Sequence, residues 1–175
     1  HMVWLDLKLK DIPNTVSSSI HSLKDLTNVH YLTIHASGGI EMLKAAKRAA
    51  AKTNKKLKIL AVTVLTSFSE KSIKQIGHTK TIKKIVIQQA SLAKKAKLDG
   101  IVCSGHEAKS IKTICKKMQN ITPGIRLEGD SKGDQQRVMT PSQAFQNGAT
   151  GIVIGRSITN GNIKKNIQKL IASLK

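Results

Sequence analysis

Short apolar runs recur along this chain, and each is followed by a longer stretch with the spacing of a helix. The runs are Val3–Leu9, Tyr31–Ala36, Ile59–Thr66, Gly100–Ser104, Ile121–Arg126 and Gly151–Arg156. Ile59-Leu60-Ala61-Val62 and Gly151-Ile152-Val153-Ile154 are continuously apolar and do not alternate with polar residues. Strands buried on both faces of a parallel sheet read in this way. Helical spacing covers Asn14–Leu26, Ile40–Lys52, Thr81–Leu98, Glu107–Met118 and Thr140–Gln146. Asn14, and Thr140 followed by Pro141, are expected helix starts. Gly100 and Gly148 stand where helices are expected to stop. Strict β-then-α alternation leaves two architectures, an open doubly wound sheet or a closed (β/α)8 barrel. No G-x-G-x-x-G follows the first strand, which argues against a dinucleotide-binding sheet.

The length of 175 residues predicts one domain, residues 3–175, with His1-Met2 as the remnant of an expression tag. Two cysteines, Cys103 and Cys115, exclude a disulfide scaffold and a four-cysteine zinc site. The longest apolar stretch, Ile59–Leu65, falls far short of the ~20 residues of a membrane span. With no basic-then-apolar leader either, the expectation is a soluble protein of the cytoplasm with no membrane partner. The formal charge is +20, from 30 Lys+Arg against 10 Asp+Glu. Nucleic-acid binding uses a clustered basic face, often with aromatic residues for stacking. Here aromatics are 2% of the chain and the lysines are spread through nearly every helical segment. The expectation is weak attraction to polyanions and no specific nucleic-acid partner.

Polar chemistry collects at the strand ends, where a barrel builds its active site, with phosphate commonly held after strands seven and eight. The last two strands end in Thr122-Pro123-Gly124-Ile125-Arg126 and Gly155-Arg156. Two arginines beside a bare backbone suit a phosphate clamp, because guanidinium offers a fixed fork of donors. Two surface arginines at loop starts would read the same way. If those strands are seven and eight, Val3–Leu9 is strand three and two β/α units precede it. In Val3–Leu9, Asp6 and Lys8 stand two apart and so share one side of a strand. Opposite charges about 4 Å apart interact by roughly 4 kcal/mol at an effective dielectric of 20, and each keeps the other ionised. Lys8 is then an ammonium able to donate a proton. A solvated charge alternation on an edge strand stays open on this spacing alone.

The stretch Asp6-Leu7-Lys8-Leu9-Lys10-Asp11-Ile12-Pro13-Asn14-Thr15 resembles the orotidine 5′-phosphate decarboxylase family, whose signature is D-L-K-x-x-D-I-P-N-T. The similarity continues in family order. It runs through His35-Ala36-Ser37-Gly38-Gly39, Ala61-Val62-Thr63-Val64-Leu65-Thr66-Ser67 and Leu98-Asp99-Gly100-Ile101-Val102-Cys103-Ser104. It then takes in Thr122–Arg126, Gly133-Asp134-Gln135, Met139-Thr140-Pro141 and Ile154-Gly155-Arg156.

The resemblance implies a homodimeric (β/α)8 TIM barrel of the ribulose-phosphate-binding type, here about six of its eight units. It implies conversion of orotidine 5′-phosphate (OMP) to UMP and CO₂ in pyrimidine biosynthesis, without metal or organic cofactor. On it, Lys8 protonates C6 of the pyrimidine, and Asp6 sits by the departing carboxylate and holds Lys8. Asp11 and Thr15 would reach the neighbouring subunit's site. Thr66 would contact the pyrimidine, with Ser67 a weaker candidate. Arg126, Gln135, Gly155 and Arg156 would close on the phosphate, helped by a mobile loop from Glu128 to Gln136. Lys10 and Ser157 depart from the family's usual His and Pro, at positions that need no chemistry. The family's two leading β/α units supply an Asp and a Lys that no residue here matches. A barrel lacking two strands exposes two edges, so this stretch alone is expected to be unstable and inactive.

Other residues read more simply. Cys103 is expected in the core, with no charged group placed to activate it. His35 could touch substrate or stabilise its turn. His21, His30, His78 and His106 share no ligand spacing and are given no metal. Two other functions fit parts of the pattern. One is a metal-dependent sugar-phosphate decarboxylase or synthase of the same barrel group. The other is a non-catalytic basic remnant that binds polyanions.

Overall fold

The computed structural model describes residues 1–131, 133 and 136–174. Each apolar run contributes a strand: β1 Val3–Leu9, β2 Val29–His35, β3 Lys58–Val62, β4 Gly100–Val102, β5 Gln119–Thr122 and β6 Gly151–Ile152. The α-helices are α1 Pro13–His21, α2 Gly39–Thr53, α3 Glu70–Gln75, α4 Ile82–Lys95, α5 Gly105–Ile114, α6 Pro141–Gln146, α7 Arg156–Thr159 and α8 Ile163–Ala172. The chain forms two compact units, one of residues 1–63 and 87–101, the other of residues 64–86 and 102–175.

In the first unit the strand order follows the chain, β1-β2-β3-β4, with β1–β2 and β2–β3 parallel. Its core is built from Val16 and Ile20 of α1, Leu32 and Ile34 of β2, Met42 and Leu43 of α2, and Ile59 and Leu60 of β3, all at most 1% exposed. In the second unit β5 and β6 are parallel neighbours. Ile125, Ala144 and Ala149 pack there with Met139, Ile152 and Ile154. Six strands with helices between them are six units of the (β/α)8 barrel repeat. No helix among the described residues is long and apolar enough to cross a membrane.

Several boundaries differ from expectation. The apolar runs outlast the strands: β3 ends at Val62 and β6 at Ile152, although the expected runs continued to Thr66 and Arg156. Val64 and Thr66 stay buried in the loop, so apolarity here marks burial beyond the ladder. Helix α1 starts at Pro13, with Ile12 as its N-cap, and not at Asn14. Proline lacks the N–H that the first turn leaves unpaired, and its φ is preset for a helix. The stop assigned to Gly100 is made by Lys97 (φ 57°). Leu98 N–H donates to Ala93 O at 3.1 Å and Lys97 N–H to Lys94 O at 3.0 Å, a Schellman closure. Gly100 instead opens β4. The other two signals hold. Thr140 caps α6 with a reciprocal box to Gln143 and Pro141 at the first position. Gly148 (φ 95°) follows the end of α6.

Candidate functional site

Strand β1 does not run straight through its charged stretch. Leu5 lies opposite Leu32 and Leu9 opposite Ile34, so Asp6, Leu7 and Lys8 share one residue, Thr33, across the ladder. Such a bulge bends the strand and re-aims its side chains. Lys8 sits at φ 51°, the left-handed region that costs an L-residue roughly 1–2 kcal/mol. In this conformation Lys8 Nζ reaches Asp6 Oδ2 at 2.6 Å. Thr33 Oγ1 accepts from Lys8 N–H at 2.9 Å and donates to Asp6 Oδ1 at 2.8 Å. The Lys8 and Asp6 side chains are 38% and 52% exposed. An ion pair so open to water contributes little to stability. The left-handed backbone therefore costs more than the exposed pair contributes to stability.

His35 ends β2 beside this pair. Burial holds its pKa below the usual 6.5, the Lys10 and Lys8 charges push the same way, and Asp6 opposes them. The turn that follows, Ala36–Gly38, packs closely on Met42 and runs into a left-handed glycine, Gly39. A Cβ on Gly38 would lie 2.2 Å from Met42 Sδ, and Gly39 has φ 83°.

Asp11 and Thr15 are exposed on the run into α1 and on its first turn. Asp11 Oδ1 accepts the neighbouring Ile12 N–H at 2.6 Å, and the Thr15 carbonyl accepts from Ser19 Oγ at 2.9 Å. The structure therefore brings Asp6 to Lys8, whereas the polar partners of Asp11 and Thr15 are local.

The second unit holds a cavity of about 280 Å³, lined by Arg126, Asp130, Ser131, Gly133, Arg156 and Asn160 among others. Arg126 lies four residues beyond β5 and is half-buried. Its Nε donates to Ser131 O at 3.1 Å and its Nη1 to Ile125 O at 2.9 Å, which aims the guanidinium along the loop. A short parallel bridge between Ile125 and Met139 closes the base of that loop. Gly133 has φ 59°, and a Cβ there would lie 2.8 Å from Arg156 Nη1. Glycine at that place lets the loop backbone approach the arginine. Gly155 precedes α7 and accepts from Ile158 N–H at 2.8 Å. Thr66 is buried in the loop after β3, and Ser67 is exposed. Gln135 lies outside the described residues.

Three arrangements were not foreseen from sequence. Thr33 is the first. The second is Asp99, whose carboxylate accepts from Lys47 Nζ at 2.6 and 2.7 Å and from Ile59 N–H at 2.8 Å. The third is a buried ion pair of Glu107, three residues after the α5 N-cap Ser104, with Arg137. Burial pushes the Glu107 carboxyl above its ordinary range, against the Arg137 charge. All three join residues 25 or more apart in sequence, beyond the reach of any local pattern. Cys103 is 1% exposed with its Sγ 3.2 Å from Asn120 Oδ1, and burial raises its thiol pKa well beyond the ordinary range. It is an inert core residue, as expected. Among the described residues no three His, Cys, Asp or Glu side chains converge as a metal-ligand group.

Comparison with known proteins points to one family. An orotidine 5′-phosphate decarboxylase from Fusobacterium nucleatum is 45% identical, with 99% of this chain and 74% of that protein aligned. One from Legionella pneumophila is 47% identical over 91% of this chain and 70% of its own length. Among solved structures, the orotidine 5′-phosphate decarboxylase of Lactobacillus acidophilus superposes with a TM-score of 0.85 at 31% identity, covering 100% of this chain and 76% of that one. The family model described as orotidine 5′-phosphate decarboxylase / HUMPS matches residues 1–169, and the chain belongs to that family.

Proposed function

We propose that the chain decarboxylates orotidine 5′-phosphate to UMP and CO₂, with Lys8 as the acid that protonates C6. The C6–carboxyl bond breaks, CO₂ leaves, and the electron pair left on C6 takes a proton from the Lys8 ammonium. The resulting amine regains a proton from water while Asp6 holds it in place. A preorganised charge pair stabilises developing charge without reorganising during the reaction. The observation that carries this reading is the Lys8–Asp6 contact of 2.6 Å, formed on a strained bulge and exposed to solvent. Arg126 and Arg156 supply a bidentate site for the phosphate, with Gln135 and Gly155 assigned to the same end. Binding energy from a remote phosphate can be used at the reacting carbon. Thr66 is assigned to the pyrimidine.

A homodimer in the cytoplasm, with Asp11 and Thr15 serving the partner's site, belongs to the same proposal. Their exposure and purely local bonding are compatible with a partner approaching that edge of the first unit.

The test is the fall in absorbance as orotidine 5′-phosphate is consumed. It is run on the chain itself and on the chain joined to the leading quarter of the Fusobacterium relative. Turnover that Lys8→Ala reduces at least ~1000-fold, as loss of a positioned proton donor and its charge should, supports the reading. Turnover unaffected by Lys8→Ala overturns the role of Lys8. Activity abolished by a chelator would instead favour the metal-dependent sugar-phosphate enzymes of the same barrel group.

A further inference from the structure

We infer that Thr33 is a positioning residue for the acid–base pair, locking the Lys8 backbone and the Asp6 carboxylate through one buried hydroxyl. This rests on the reading of Lys8 as the acid. Thr33 is the single β2 residue facing the β1 bulge, between the Leu5–Leu32 and Leu9–Ile34 pairs. At φ 51° the Lys8 N–H cannot continue a regular ladder, and it turns to Thr33 Oγ1 at 2.9 Å. That hydroxyl carries one proton, and Asp6 Oδ1 receives it at 2.8 Å. Asp6 Oδ2 accepts from Lys8 Nζ at 2.6 Å. The bonds form a closed ring from the Lys8 amide through Thr33 and Asp6 back to the Lys8 amine.

The polarity of the ring is fixed. A backbone N–H can only donate, so the hydroxyl must accept there and give its own proton to Asp6. Both oxygens of Asp6 are then acceptors, Oδ1 from Thr33 and Oδ2 from Lys8 Nζ. Thr33 is 0% exposed, so its own hydroxyl has no competing partner in bulk water. Its β-branch restricts χ1, so the hydroxyl keeps its direction. Among the described residues no other side chain bonds both Asp6 and the Lys8 backbone.

The test compares Thr33→Val, which keeps volume and removes the hydroxyl, with Thr33→Ser, which restores it. Turnover of orotidine 5′-phosphate is measured alongside hydrogen exchange at the Lys8 amide. Thr33→Val is expected to lower kcat about ten- to a hundredfold, the scale of one hydrogen bond to a charged group, and to leave KM within about threefold. The Lys8 amide should exchange faster in Thr33→Val, with Ile34 unchanged, and Thr33→Ser should recover most of both effects. A Thr33→Val protein with wild-type kcat and wild-type protection at Lys8 overturns the inference. So does a loss of kcat, KM and protection throughout the strand that serine fails to rescue. If the wild-type chain shows no turnover even when joined to the leading quarter of the Fusobacterium relative, the functional reading fails separately, and exchange at Lys8 still decides whether Thr33 holds the loop of bonds together.

Discussion

Lys8 shows how little of a site residue's role is visible in its identity. On a regular strand, the spacing of Asp6 and Lys8 would place both side chains on one face. They do meet, but through a bulge and a left-handed Lys8 that alternation does not predict. His35 carries a consequence in solution. Its folded pKa is lowered, so between that value and 6.5 the unfolded chain binds more protons than the folded one. Stability therefore rises with pH across that window and is lost as pH falls through it. The urea midpoint is expected to drop between about pH 7.5 and about pH 5.5, and His35→Gln should flatten the slope. An unchanged slope in the variant would overturn the assignment of the effect to His35. Cys103 was legible from sequence alone, because an apolar run with no adjacent charge leaves a thiol only a packing role.

Elements were legible in kind, less so in extent. All six strands lie within or beside the apolar runs that predict them. Their ends do not, because the ladder stops where the chain turns toward a helix while burial continues. The short helix α3 was missed even though Ser69 caps it through a reciprocal box with Ser72. A box of two serines lacks the usual acidic or amide residue at the third position. At this scale Asp99 joins α2 to the starts of β3 and β4, through Lys47 and the Ile59 amide. Asp99→Ala removes both links and should lower unfolding free energy by about 1–3 kcal/mol, read from urea melts. Lys47→Met, which leaves the carboxylate its backbone donor, should cost less. Equal losses would mean that the ion pair alone does the holding.

For the whole molecule, the +20 charge makes a prediction independent of the site. Lysines spread over the helices repel one another and attract any polyanion without sequence preference. Raising salt from about 0.05 M to about 0.5 M should raise the melting temperature and release the protein from heparin or RNA, with no competition by UMP. Polyanion retention that resists such salt and that UMP does not displace would indicate a built binding surface and favour the polyanion-binding alternative. The sequence by itself determined the β/α order, the two-residue spacing of Asp6 and Lys8 and the place of two arginines after the late strands. Each is written in local spacing or in a contiguous motif. Only the tertiary structure decided that Thr33 faces the bulge, that Asp99 takes Lys47 and that Glu107 takes Arg137. Those contacts depend on strand register and helix packing between distant segments, which no local pattern of residues encodes.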